Sequence, residues 1–317
     1  MTPAGAELAR RRSLPPGGMQ SMQVMADGWP LRAILWPAVT GKQGSILFLG
    51  GRGDFIEKYA EGLWALTDAG WGVASFDWRG QGLSGRVGKS PMHGDAPDGD
   101  FALWASDLAA MSDWFRANMP GPHMIVAHSM GGHLTLRHLA DHPHDFARAV
   151  LLSPMAGVRA PPLGPVIARA AAALMVMLGQ GRRFVAGGGP YRAGVAGSAR
   201  QRLLTSDPVR YADEAWWCAQ NPALAIGSVT WGWLDAAFRS MAALRARLPG
   251  ITTPVAIHMA AADGLVDSAA TRALAAAMPD ARLTEYAGAG HELLRESDAV
   301  RCAVLAAVLE FLHTPAR

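Results

Sequence analysis

Cysteine is nearly absent. Cys218 and Cys302 stand far apart in a chain of 317 residues and show no metal-ligand spacing, which argues for two free thiols in a reducing compartment rather than a disulfide framework or a thiolate metal site. Charge is scarce too: charged side chains make up 17% of the chain and the formal net charge is only +3. The excess comes from scattered arginines without interleaved aromatics. That argues against a nucleic-acid partner and leaves at most a mild attraction to an anionic surface. No apolar run is long enough to cross a bilayer. Near the N-terminus, Arg10, Arg11 and Arg12 are followed by Pro15-Pro16-Gly17-Gly18, where an export signal would place its apolar stretch. Residues 1–30 are therefore expected to be a loosely ordered leader with its arginines solvated. No internal repeat is visible.

What is abundant is apolar: 50% of the residues are hydrophobic, and 36 glycines and 21 prolines promise many turns. This length buries a large core more naturally as one α/β domain with a sizeable insertion than as two equal domains. Strand-like runs (Ala33-Ile34-Leu35-Trp36, Ser45-Ile46-Leu47-Phe48-Leu49, Val73-Ala74-Ser75-Phe76, Met124-Ile125-Val126, Ala149-Val150-Leu151-Leu152) alternate with helical spacing over 57–69, 101–119 and 134–140. Such alternation implies a mostly parallel sheet covered by helices on both faces. The pattern stops at Pro154. Residues 155–250 hold Pro/Gly-rich loops, helical pieces, the apolar run 166–178 and four crowded tryptophans, Trp216, Trp217, Trp231 and Trp233. They are predicted to form a helical cap over the sheet's C-terminal edge. Whether the apolar run is an oily lid or a helix packed on the body is open, as is whether the tryptophans fill a core or line a pocket. Alternation resumes at Val255-Ala256-Ile257-His258-Met259 and ends in a helix over 298–312. The expected organisation is thus leader 1–30, core 31–154, cap 155–250 and core 251–317.

The run Val126-Ala127-His128-Ser129-Met130-Gly131-Gly132 carries the strongest chemical signal. A strand ends abruptly in a serine and a helix follows, the setting of a nucleophile elbow. The turn forces the serine into strained dihedrals, so the residues two positions away must be small; here they are Ala127 and Gly131. A serine hydroxyl is a weak nucleophile near neutral pH and needs an imidazole to take its proton, which in turn needs a carboxylate to fix its tautomer. Asp263 and His291 follow later strands. The order Ser129, Asp263, His291 is the α/β-hydrolase order, and a parallel sheet gathers such strand ends on one rim.

With these pieces the chain resembles the α/β-hydrolases of the lysophospholipase and monoacylglycerol lipase-like group, which takes in serine aminopeptidase S33-type sequences. The likeness rests on Gly50-Gly51-Arg52-Gly53 with Lys58-Tyr59, on Phe76-Asp77-Trp78-Arg79-Gly80-Gln81-Gly82, on the serine run, on Ala262-Asp263-Gly264 and on Gly288-Ala289-Gly290-His291-Glu292. It implies an α/β-hydrolase fold with a mostly parallel central sheet and a helical cap inserted after the sixth strand. It also implies a serine ester hydrolase acting through an acyl-enzyme on lysophospholipid or monoacylglycerol, with general carboxylesterases as the runner-up and a non-catalytic homologue as the alternative. No metal or organic cofactor is called for. By the same match, the backbone amides of Arg52 and Met130 form the oxyanion hole. Two positions depart from the family: Gly50-Gly51 stands where His-Gly is common, and Ala127 replaces the first elbow glycine. Neither removes a group the chemistry requires.

The remaining candidates are weaker. Gly51, His128, Trp217 and Trp231 are the expected substrate contacts, although His128 and His133, flanking a tight turn, are equally placed for packing. Asp267 is expected to cap the helix that starts at Ser268. Asp77 and Arg79 are expected to pair locally within a structural loop. His93 has no assigned role, and Asp95, Asp98 and Asp100 are expected in a solvated loop. Arg52, Arg182 and Arg183 are headgroup candidates weighed against plain solvation. The expected setting is cytoplasmic, with transient membrane contact through the cap.

Overall fold

The computed structural model describes residues 3–38, 43–88, 100–162 and 164–313. Its strands are β1 (Met19–Val24), β2 (Pro30–Trp36), β3 (Ser45–Leu49), β4 (Gly72–Phe76), β5 (His123–His128), β6 (Arg148–Leu152), β7 (Val255–Ala260) and β8 (Ala281–Tyr286). They form one eight-stranded sheet in the order β1-β2-β4-β3-β5-β6-β7-β8. β1 and β2 pair antiparallel, as do β2 and β4; every other pair is parallel. The helices are α1 (Pro3–Arg11), α2 (Ala60–Asp68), α3 (Ala102–Asn118), α4 (Met130–Asp141), α5 (Gly164–Met177), α6 (Ala199–Leu204), α7 (Pro208–Gln220), α8 (Trp231–Arg245), α9 (Ser268–Ala276) and α10 (Asp298–His313).

The apolar runs read from the sequence are the strands buried on both faces. Along β5, Ile125 and Ala127 enter one core while Met124 and Val126 enter the other. Trp104, Leu108 and Phe115 of α3 and Leu134 and Leu139 of α4 fill the first core; Leu63 and Leu66 of α2 and Val304, Val308 and Phe311 of α10 fill the second. Helices α5 to α8 all lie between β6 and β7, so the insertion follows the sixth strand. Its last helix, α8, shares the first core through Trp233, Phe238, Met241 and Leu244, which anchors the insertion on the body.

Three expectations are corrected. The N-terminal segment is structured: α1 packs near α2 and β1 extends the sheet in register with β2, Met19 opposite Leu35. The arginine cluster is paired rather than free, with Arg10 on Asp68 at 2.6 Å and Arg11 and Arg12 on Asp213 at 2.8 and 3.0 Å. These partners lie so far along the chain that no local pattern announces them. The predicted helix over 57–69 begins as a tight 3₁₀ turn, Ile56–Tyr59, before α2.

The third correction concerns Asp77 and Arg79, which do not pair with each other. Arg79 binds Asp27 and Asp107, whereas Asp77 accepts from Arg32 at 3.1 Å and from the amides of Ile56 and Leu83. The loop wraps around the Asp77 carboxylate so closely that a Cβ on Gly82 would sit 2.2 Å from it. Among the aspartates of the acidic loop, Asp100 is described; Asp95, Asp98 and His93 lie outside the described residues.

Candidate active site

Ser129 follows the last residue of β5 and precedes the first of α4, with φ 51° and ψ −115°. A non-glycine residue held there costs of the order of 1–3 kcal/mol, so the surroundings must pin it. They do: the Ser129 amide donates to Leu152 O at 3.0 Å, and its carbonyl accepts from His133 and Met155. The small-neighbour requirement is visible in space. A Cβ on Gly131 would lie 2.4 Å from the carbonyl oxygen of Gly50, and one on Gly51 would lie 2.8 Å from Ser129 Cβ. The turn 50–53 thereby passes directly against the serine. Met130 opens α4, and the amides of a helix's first turn have no acceptor within the helix.

Ser129 Oγ lies 2.9 Å from Nε2 of His291, and Nδ1 of His291 lies 2.6 Å from Oδ2 of Asp263. A carboxylate at Nδ1 keeps the proton on that nitrogen, leaving Nε2 to accept from the serine hydroxyl. The other oxygen of Asp263 accepts from the amides of Leu265 and Val266 at 2.8 and 2.9 Å. Burial opposes charge on His291, but Asp263, with Glu292 and Asp54 behind it, outweighs burial and raises its pKa above the ordinary imidazole value. Burial likewise pushes the Asp263 carboxyl up, and His291 with the two amides brings it below its usual value. Asp267 caps α9 through the amides of Ala269 and Ala270.

Beneath these groups lies a buried ionic cluster that sequence reasoning missed as a unit. Lys58 Nζ reaches Asp54 at 2.7 Å, Glu292 at 2.7 Å and Glu214 of α7 at 3.0 Å, and Arg295 binds Glu292 at 2.5 Å. Asp54 also accepts from the Gly51 amide at 2.5 Å and from the Tyr59 hydroxyl at 2.9 Å. Burial alone would raise the Asp54 and Glu292 carboxyls and lower Lys58. Contact with opposite charge reverses all three shifts. Most of the members adjoin motif residues, a cue available in the sequence; Glu214 carries no such cue.

Ser129 and His291 open into a cavity of about 530 Å³. Phe55, Met155, Leu224, Ile226, Trp233 and Leu234 give it apolar wall, and Arg159, Arg192 and Arg200 give it cationic wall. His128 lines it as well, but deep down: its Nδ1 lies 2.7 Å from the Tyr59 hydroxyl and its Nε2 3.3 Å from the His291 carbonyl oxygen.

Several expected contacts are corrected here. Gly51 is not in the cavity wall; its role is close approach behind Ser129. Trp217 faces the N-terminal segment, donating to Arg11 O at 3.3 Å, and Trp231 packs on the first core. The tryptophan in the wall is Trp233, because the turn of α8 brings that position round to the cavity. Arg52 lines the cavity, but its guanidinium donates to the carbonyls of Gly227 and Ser228 at 2.9 and 2.8 Å, while Arg182 and Arg183 are outside the wall. Among the described residues no group of three or more His, Cys, Asp or Glu is placed to hold a metal ion.

The fold and the serine elbow define an α/β-hydrolase, and the protein is a serine hydrolase. The chain belongs to the family described as serine aminopeptidase, S33, which matches residues 40–298. It is 30% identical over 269 residues to the probable lysophospholipase L2 of Haemophilus influenzae, spanning 84% of this chain and 83% of that one. It is 29% identical over 283 residues to lysophospholipase L2 of Escherichia coli K12, spanning 83% and 78%. In fold it is similar to a soluble variant of monoglyceride lipase from Saccharomyces cerevisiae solved with a substrate analogue, with a TM-score of 0.71, 18% identity and 94% and 96% of the two chains covered. Among the described residues no helix is long and apolar enough to cross a membrane.

Proposed function

We propose that this ester-cleaving serine hydrolase uses Ser129 as nucleophile, His291 as general base and then general acid, Asp263 to orient His291, and the amides of Arg52 and Met130 to hold the oxyanion. Ser129 Oγ attacks the ester carbonyl as its proton passes to Nε2 of His291. The tetrahedral oxyanion collapses, and His291 returns the proton to the departing alcohol. Water, deprotonated by the same nitrogen, then attacks the acyl-serine and releases the fatty acid and the free serine. The observation carrying this reading is the hydrogen-bonded line from Ser129 through His291 to Asp263, with Ser129 and His291 lining the cavity.

The substrate read here is a lysophospholipid. Apolar wall suits one acyl chain, Arg192 and Arg200 suit a phosphodiester, and both lysophospholipase L2 relatives bear the name of that activity. Neutral monoacylglycerol would leave the arginines without a partner of opposite charge. The enzyme is read as cytoplasmic, meeting lipid surfaces transiently through its cap.

The test compares lysophosphatidylcholine, monoacylglycerol and p-nitrophenyl esters of increasing chain length, with Ser129→Ala as control. A preference for long chains and for the phosphodiester supports the proposal. Preference for short acyl groups would make it a general carboxylesterase, and absence of Ser129-dependent turnover would make it a binding protein.

A further inference from the structure

Three loops that carry the chemistry leave three different strands: the turn 50–53 follows β3, the Asp263 loop follows β7 and the His291 loop follows β8. The sheet fixes where each loop begins but not where it ends, while reacting groups must be held to within about 0.5 Å. Each of these loops is hydrogen-bonded to a different stretch of the cap. At the cap's entry, residues 157–159 run antiparallel to 265–267: the Arg159 amide donates to Leu265 O and the Asp267 amide to Gly157 O, both at 2.9 Å. The Arg159 guanidinium then donates to the carbonyl oxygen of Asp263 itself, at 2.9 Å. At the end of α6, the carbonyls of Leu203 and Leu204 accept from the amides of His291 and Glu292 at 3.2 and 2.7 Å. A Cβ on Gly290 would lie 2.7 Å from the Leu204 carbonyl oxygen, so glycine permits that approach.

The turn 50–53 is held from both sides. On the body, Trp78 donates to Gly50 O at 2.8 Å and Gln81 accepts from the Gly53 amide at 2.5 Å. Between these two ties the Arg52 side chain crosses to the cap, where it donates to Gly227 O and Ser228 O and lies 5.7 Å over the Trp233 ring. The stretch it grips is itself braced: the Ser228 amide donates to Gly189 O at 2.9 Å and the Val185 amide to Val229 O at 3.1 Å. Arg52 and Arg159 both line the cavity, yet both aim donors at main-chain carbonyls that join cap to loop. Charged donors make the stronger hydrogen bonds, which suits a tie that must not slip. We propose that the cap positions the reacting groups, with Arg159 fixing the Asp263 loop and the Arg52 side chain fixing the oxyanion turn, and that neither guanidinium binds substrate. Both roles rest on the hydrolytic reading of Ser129, Asp263 and His291.

Arg52→Met and Arg159→Met test them on p-nitrophenyl butyrate, which has no headgroup, with Ser129→Ala as control. Arg52 serves the oxyanion through its amide, which methionine keeps, so both variants retain every reacting group. Each is expected to lower kcat by about ten- to a hundredfold, the scale of a misplacement of about 1 Å, with KM within about twofold of the parent. An alkyl trifluoromethyl ketone gives a second readout. Ser129 Oγ bonds to its carbonyl carbon, the hydroxyl proton passes to Nε2 of His291, and the carbonyl electron pair becomes the oxyanion. Its affinity should fall by the same factor as kcat/KM. Lysine at either position, a point charge without the planar fork, should recover part of the loss. A raised KM at unchanged kcat would make the arginines substrate ligands and overturn the proposal. So would a lowered melting temperature at unchanged kcat, which would make the ties structural only. Where a methionine variant does not fold, its lysine counterpart carries the test, and parental kcat there is the overturning result. Turnover independent of Ser129 would end the hydrolytic reading and these roles with it; Ser129-dependent turnover at parental kcat in both variants would end these roles alone.

Discussion

Lys58 and Glu292 meet at 2.7 Å with side chains only 5% and 2% exposed, joining the 3₁₀ turn Ile56–Tyr59 to the residue that follows His291. The same ammonium holds Asp54, whose other oxygen holds the Gly51 amide, so one cation positions both loops that flank the serine. Replacing it by Lys58→Met leaves the buried Asp54 carboxylate without its ammonium partner, while Glu292 keeps Arg295. The expected loss is about 3–5 kcal/mol of stability. Thermal unfolding with turnover measured well below the transition separates lost fold from lost positioning; an unchanged melting temperature would contradict this account.

Ser129→Ala and Asp263→Asn should differ in degree. The first removes the nucleophile and is expected to lower kcat by about four to six orders of magnitude. The second leaves His291 in place without its orienting charge and is expected to cost about 10⁴-fold. Esterase assays on purified variants, with circular dichroism to confirm folding, provide the comparison. Equal activity of Asp263→Asn and the parent would remove Asp263 from the mechanism.

The pH profile follows from the raised pKa of His291. The working base is the neutral imidazole, so kcat/KM should rise with pH through a limb lying above the ordinary imidazole value of about 6.5. Stability runs the other way. The protonated ring is favoured in the folded state, so its contribution is fully present below the unfolded pKa and is lost as pH rises through the folded one. Asp263, lowered, contributes above its unfolded pKa and loses that as pH falls through its depressed value. Asp263→Asn should shift the acid limb to lower pH, which a pH-rate series measures directly.

Arg192→Ala and Arg200→Ala probe the headgroup. Each is expected to raise KM for lysophosphatidylcholine by about tenfold, the scale of one charge-assisted hydrogen bond, while p-nitrophenyl butyrate is turned over as before. Equal effects on both substrates would assign these arginines to the fold.

His128 lines the cavity and also has a structural role. Its ring packs 4.8 Å from that of His291, centroid to centroid, and its nitrogens bind Tyr59 and the His291 carbonyl. His128→Ala takes that partner from the His291 carbonyl, while Tyr59 keeps Asp54, and is expected to cost about 1–3 kcal/mol of stability. Chemical denaturation checks it.

Much of this protein is legible one segment at a time. A parallel strand buried on both faces must be a short apolar run, and a serine at positive φ must have small neighbours, so β3, β5, β6 and the Ser129 elbow could be read from a few consecutive residues. Ser129, Asp263 and His291 could be named because each sits in a glycine-rich turn at a strand end, and the sheet then brings them within hydrogen-bonding reach. Packing decided the rest. Arg11 finds Asp213 and Lys58 finds Glu214 across more than a hundred residues, and Trp233 rather than Trp217 or Trp231 reaches the cavity through the rotation of α8. Ion pairs and helix phase of this kind depend on which surfaces meet in space, and neighbouring residues along a chain carry no record of that.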